Sequence, residues 1–440
     1  MLRARVVPAM VCVGLALSAG NLYAQSSQPT LLDKMFNLFV DKVVVAKTPA
    51  GVGVVAHEPI FATDPTVTQV TEVISQVSQQ ISSQLSIFPL GSSSGGFTYR
   101  YDPSLGTFTR TTETFGPAFA ERAVTVGKQK VSVGMNYQHG KYTTLDGKDL
   151  ENGDIKFILL HQPLTPPSFV QGDVIEAALQ MKLSSDTTVF YANYGLTDVL
   201  DVGLAVPFEH VKMDLSYRAT IRDFATKVVS PNTHLFPNGT KTQDFRDTGS
   251  ASGIGDVVVR AKYNFLKRGA EAYSAGLDLR LPTGDDQNML GTGATNAQLF
   301  LIASTARGNV SPHANVGYTF SSGGTGVGDQ FNYVGGVEYA VNPKVTVIGD
   351  LVGRTIRDTL RLQDVSVSHS FQQGATAPIE RTTLTKVAEE SGSLSTILGT
   401  AGLKFNPWQN LLISAHVVLS LNDAGLRSRD TPVIGFDYSF

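Results

Sequence analysis

The chain has one cysteine, Cys12, and it falls within the first 24 residues, so no disulfide can brace the remainder. No run of 18 apolar residues occurs, which excludes a helical membrane span. Nor is there a surplus of charge: 35 basic residues face 38 acidic ones, a net charge of −3, so phosphate-neutralising nucleic-acid binding is excluded. Tryptophan is nearly absent, yet 23 Phe and 14 Tyr in a chain of 440 residues that is 42% apolar exclude a disordered or low-complexity polymer. The sequence also contains no HExxH, paired-cysteine, Walker or nucleophile-elbow pattern, and no feature calls for a cofactor.

What is present begins with an export signal. Arg3 and Arg5 precede an apolar stretch over residues 6–17, broken only by Pro8 and Gly14, and Ala24-Gln25 offers a cleavage point. Leu22 departs from the small residue usual at such a site, and the rival reading is a buried first helix. Removal of residues 1–24 takes Arg3 and Arg5 away and leaves a mildly acidic exported chain.

Residues 25–127 form an N-terminal segment with helical period. Asp64 reads as an N-cap with Pro65 at the first helical position, and Val67, Val70, Ile74, Val77, Ile81 and Leu85 make one apolar face, ended by Pro89 and Gly91. β-Branched and hydroxyl residues give this helix poor intrinsic propensity, so it needs something to pack against. Residues 31–40 predict a second, shorter helix. Residues 91–123 read as irregular structure or short hairpins.

From residue 128 to 440 alternation with period 2 replaces the helical pattern. Val257, Val259, Ala261, Tyr263 and Phe265 point one way and Arg260, Lys262 and Asn264 the other. Likewise Ile434, Phe436, Tyr438 and Phe440 oppose Gly435, Asp437 and Ser439. A soluble sandwich alternates in the same way. Export, strands of around ten residues and connections that alternate short and long favour an up-and-down transmembrane β-barrel. Short turns fall at 195–198, 267–270, 307–310, 341–343 and 406–410, and long loops near 144–171, 216–254, 283–295, 321–329, 358–393 and 422–431. The count is about twelve antiparallel strands; if 172–194 is instead a hairpin the count rises, and fourteen would need one more strand from 97–123. Within 172–194 the apolar set shifts from odd positions (Ile175 to Leu183) to even ones (Phe190 to Tyr194), which predicts a β-bulge near 184–187. Closure requires the strand ending at Phe440 to pair with the one starting near Lys128. A terminal Phe440 after alternate aromatics resembles the signal that the insertion machinery of bacterial outer membranes reads, so that machinery and outer-membrane lipid are the expected partners.

YGLTD at 194–198, LDVGLAVP at 200–207, GIGDVVVRAKYNFL at 253–266, LRLPTGD at 279–285, LGTG at 290–293 and SPHANVGY at 311–318 together resemble the outer-membrane family named for the MetA pathway of phenol degradation. The resemblance runs from about residue 186 to 350 and implies an outer-membrane barrel that moves small, often apolar or aromatic, compounds. The family brings no agreed site residues.

If the apolar set faces lipid, the lumen receives Asp201, Arg260, Lys262, Asp278, Arg280, Glu338, Asp350, Arg354 and Lys404, with Glu176, Lys182, Glu209 and Asp437 beside them. Near-balance of sign argues against strong ion selectivity. These charges either meet the solute or cross-link the inner wall. Three functions follow. The first is a passive channel for small solutes, gated by its own N-terminal segment as a plug, with a self-pairing periplasmic helix as the rival use of that segment. The second is a non-transporting barrel that serves as scaffold, adhesin or polypeptide export port. The most remote is a barrel hydrolase using inward-facing His313 or His416.

Overall fold

The computed structural model describes residues 29–40, 46–47, 55–56, 74–75, 77–78, 80–85, 96, 99–102, 107–110, 112–160, 173–224, 234–236, 238–322, 328–373, 376–408 and 410–440. The export signal therefore lies outside the described residues, as does the start of the helix expected from Pro65.

Among the described residues one sheet of 16 strand segments dominates. Four of those segments only extend the rim, and twelve go round: β1 (Val131–Leu145), β2 (Asp173–Gly195), β3 (Leu200–Asp223), β4 (Val258–Arg268), β5 (Glu271–Arg280), β6 (Asn296–Thr305), β7 (Val310–Ser321), β8 (Gln330–Asn342), β9 (Val345–Gln372), β10 (Ile379–Trp408), β11 (Leu411–Ser420) and β12 (Asp430–Ser439). Each pairs antiparallel with its neighbours in sequence. The ring shuts where β12 pairs β1, Val433 opposite Gln138 through Ser439 opposite Ser132, and the Phe440 N–H donates to the Val131 carbonyl at 2.9 Å. The expected closed barrel is present, with twelve strands. Residues 99–102 and 107–110 make a separate two-stranded hairpin that does not enter the wall.

A wall in hydrocarbon must present apolar side chains outward. Phe190, Tyr194, Leu204, Phe208, Val259, Phe265, Leu299, Leu301, Val347, Leu351, Leu403 and Ile434 do so around the ring. Aromatics gather beside the short turns, with Tyr194, Tyr263, Tyr339, Tyr438 and Phe440 exposed and Trp408 70% exposed, which is the girdle expected at a membrane–water interface.

Two expectations fail, for one reason. β2 contains no bulge: its register with β3 is unbroken from Asp173 opposite Asp223 to Gly195 opposite Asp201, and odd residues face inward throughout. The stretches 216–254 and 358–393 are mostly strand, because β3 runs to Asp223, Thr242–Ile254 pairs beside it, and β9 and β10 have 28 and 30 residues. About ten residues cross a bilayer, so these strands stand well clear of it, and there the outside is water. The apolar side chains therefore turn inward: Ile175, Ala177, Leu179, Met181 and Leu183 are buried, as are Met213, Leu215, Tyr217 and Ala219 on β3. Outward positions become polar, with Arg218 bonded to Asp244 at 2.8 Å and Arg222 to Glu176 at 2.8 Å. Glu176 and Lys182 thus face out, not into the lumen. The medium changes along β2; the parity does not.

This upper lobe encloses the N-terminal helices. Helix α1 (Leu31–Val40) opens on a reciprocal cap, the Asp33 N–H donating to Thr30 Oγ1 at 3.1 Å and the Thr30 N–H to Asp33 Oδ2 at 2.9 Å. The described residues between 74 and 85 are also helical, and Ile74, Val77, Ile81 and Leu85 are buried against the inward set of β2 and β3. Ser78 Oγ donates to Met35 Sδ at 3.1 Å and joins the two helices.

Candidate functional site

The half of the lumen nearest the short turns is occupied by the chain's own residues 112–127. Their backbone forms no regular element, so its polar groups need partners, and charged or amide side chains of the wall supply them. The Gly116 N–H donates to Glu338 Oε2 at 3.1 Å, the Ala118 and Phe119 N–H groups to Asp350 Oδ2 at 3.0 and 3.1 Å, and the Val126 N–H to Asp201 Oδ2 at 3.0 Å. In the other direction Lys404 Nζ donates to the Pro117 carbonyl at 2.8 Å, while the Asn315 amide both accepts from the Glu121 N–H at 2.7 Å and donates to its carbonyl at 3.0 Å. Gly116, at φ +87°, permits the bend that brings these groups round.

Two charged clusters anchor the segment. In the first, Arg122 Nε donates to Glu338 Oε1 at 3.1 Å, and His313 bridges Glu338 and Asp350 at 3.4 and 2.8 Å. The side chains of Glu338, His313 and Asp350 are all fully buried, so each charge depends on the others. In the second, Glu121 pairs with Arg260 and, at 3.5 Å, with Lys262; Asp278 accepts from Arg260 Nε at 2.6 Å, and Lys262 lies 3.6 Å from Asp201.

Of the nine lumen candidates, Asp201, Glu338, Asp350 and Lys404 touch the segment's backbone or Arg122, Arg260 and Lys262 reach Glu121, and Asp278 braces Arg260. Arg280 and Arg354, together with Arg260 and Asp278, line a cavity of about 200 Å³ above the segment. Its floor is Phe119 and Glu121, its roof includes Gln84 and Leu426, and Phe300, Val352 and Leu398 form part of its wall. Arg260 stands 5.6 Å from the Phe300 ring centre. The Phe300 ring lies over Gly276, where a Cβ would strike it, and on the next strand Gly317 leaves room for the Phe300 Cβ. His416 is a wall group 6.2 Å from the Phe119 ring.

Sequence reasoning missed Glu121 and Arg122, the wall's principal charged partners. Their signal was available: in the run GPAFAERAV at 116–124 they are the only charges.

A closed twelve-strand wall with an apolar outer belt and a charged, filled lumen defines an outer-membrane β-barrel, and the chain is a protein of the bacterial outer membrane. Residues 166–377 match the family described as putative MetA-pathway of phenol degradation, a longer stretch than the motifs alone mark out. Solved structures of similar kind include an outer membrane channel from Pseudomonas putida F1 (12% identity, covering 72% of this chain and 98% of that one, TM-score 0.43). A FadL homologue of Pseudomonas aeruginosa (10%, 80% and 98%, 0.33) and the toluene transporter TbuX of Ralstonia pickettii (12%, 71% and 90%, 0.26) are others. No curated protein matches the sequence. The class rests on the wall and its belt, not on these likenesses.

Proposed function

We propose that the protein is a passive outer-membrane channel for small solutes, apolar or aromatic ones among them, and that residues 112–127 are its gate, with the helices of the upper lobe as a second barrier. The observation that supports this reading is the mode of attachment: the segment in the lumen is held by side-chain hydrogen bonds and ion pairs, not by strand pairing, so it can leave without breaking the wall. The cavity between the two barriers is then a station on the path.

The test uses the absence of cysteine from residues 25–440. Thr114 Oγ1 donates to Ser311 Oγ at 2.9 Å, so Thr114→Cys with Ser311→Cys places two thiols side by side at the gate and the wall. In planar bilayers the oxidised double variant is expected to stay shut, and reduction to restore the openings of the unmodified chain. Equal conductance with the bridge closed and open would refute gating. A barrel that never conducts, bridged or not, would leave the non-transporting scaffold as the reading, which the number of buried bonds to the segment otherwise favours.

A further inference from the structure

The charges around the cavity are answered within the protein. Glu121 and Asp278 are both engaged by Arg260, and Arg280 and Arg354 have partners of their own, so nothing there calls for a charged guest. Phe119 in the floor and the Phe300 ring, laid over Gly276, give it aromatic surface. In the roof a donor is left over. The Gln84 amide oxygen accepts from the Leu426 N–H at 2.6 Å, which fixes the two ends of the amide, because a backbone N–H cannot be received by the amide nitrogen. Nε2 at the other end is buried and has no hydrogen-bond partner among the described residues. Gln84 as a whole is 8% exposed, and it lines the cavity. A buried donor left unmade is costly, and an oxygen that accepts from it without bringing a proton of its own removes the cost. A cavity of about 150 Å³ takes up benzene, so the space of about 200 Å³ admits one ring with a short substituent.

We propose that this cavity binds a neutral, single-ring aromatic carbonyl compound: the carbonyl oxygen accepts from Gln84 Nε2, and the ring lies against Phe300. The assignment rests on the channel reading and narrows its solute class from apolar or aromatic molecules to those that carry an acceptor oxygen and no donor. Gln84 is then the residue that sets specificity, and it belongs to the second barrier. The helix that roofs the cavity is also the element that reads the guest.

Isothermal titration of the full-length protein in detergent, against a detergent blank, tests it with acetophenone, ethylbenzene, 1-phenylethanol and cyclohexyl methyl ketone as probes. Acetophenone and ethylbenzene share ring and chain length and differ in the oxygen. Acetophenone is expected to bind about tenfold more tightly, since satisfying a buried donor contributes about that much. Gln84→Glu keeps an oxygen for the Leu426 N–H and removes the donor, so it is expected to weaken acetophenone by about tenfold, to the level of ethylbenzene. Gln84→Leu, which gives up both bonds, is expected to do the same. The heat-dependent gel mobility of each variant reports whether its barrel has formed, and the comparison of probes on the parent chain needs no variant. No binding of acetophenone, equal affinity for ethylbenzene, or unchanged acetophenone affinity in an intact Gln84→Glu barrel would overturn the proposal. Equal affinity for 1-phenylethanol would overturn its carbonyl part, and equal affinity for cyclohexyl methyl ketone its aromatic part. Binding in detergent requires no flux, so a failure here is separate from a failure of the bilayer experiment, which reads the channel.

Discussion

Glu338 is the residue on which most depends. It accepts from the Gly116 N–H, pairs with Arg122 and faces His313, with no exposed surface of its own. Replacing a buried carboxylate by an amide leaves its cationic partner uncompensated, a loss of about 3–5 kcal/mol. For Glu338→Gln that loss falls on the attachment of residues 112–127, because the strand pairing of β8 with β7 and β9 does not involve side chains. The expected outcome is a barrel that still forms, seen by its heat-dependent gel mobility, with a higher open probability in bilayers. A variant as quiet as the parent would mean that the charge is not part of the latch. Gly276→Val tests the opposite face of the site. The added methyls strike the Phe300 ring, so overpacking of about 1–3 kcal/mol is expected, read as a lower thermal transition of the barrel.

Among the elements, β2 and β3 carry the most information, since both change surroundings midway. Outward positions low on β3 meet lipid and those higher up meet water, so a swap between apolar and charged side chains should cost stability in the first and little in the second. Leu204→Lys, in the belt, is expected to cost about 2–4 kcal/mol of barrel stability, measured by denaturant unfolding in lipid vesicles. Arg218→Leu, fourteen positions further along the same face, is expected to cost close to nothing, because it removes only an exposed pair with Asp244. Comparable losses at both sites would place the water boundary elsewhere. The strand positions and ring closure of the lower barrel were legible because lipid excludes an open sheet edge and leaves a period-2 code, which the export signal and the alternation of short and long connections told apart from that of a sandwich. The code was misread where its sign is reversed, from Ile175 to Leu183 in β2, since apolar inward and apolar outward look the same in a sequence. Helix α1 and the face of Ile74, Val77, Ile81 and Leu85 were readable from spacing alone. Residues 112–127 were not, because their bonds to Glu338, Asp350 and Asp201 come from backbone N–H groups that every residue type except proline carries.

At the scale of the whole molecule, two solvents divide the labour. The lower barrel is built against hydrocarbon and filled with paired charge; the upper lobe is built against water and filled with the helices, whose buried Leu31, Met35, Leu38 and Ile81 complete its core. Deletion of residues 25–90 removes that filling. It is expected to expose the inward apolar residues of β2 and β3 to protease and to raise conductance, while the lower barrel persists; an unchanged conductance would show that the helices bar nothing. A second consequence concerns order in time. The seam between β1 and β12 joins the two ends of the wall, and the polypeptide inside belongs to the part made before either. Once the hoop is fastened its contents can be neither threaded in nor exchanged from the side. A segment that precedes the whole wall in the chain is thus placed to fill the hoop while it is still open, a mandrel around which the last strand is bent home.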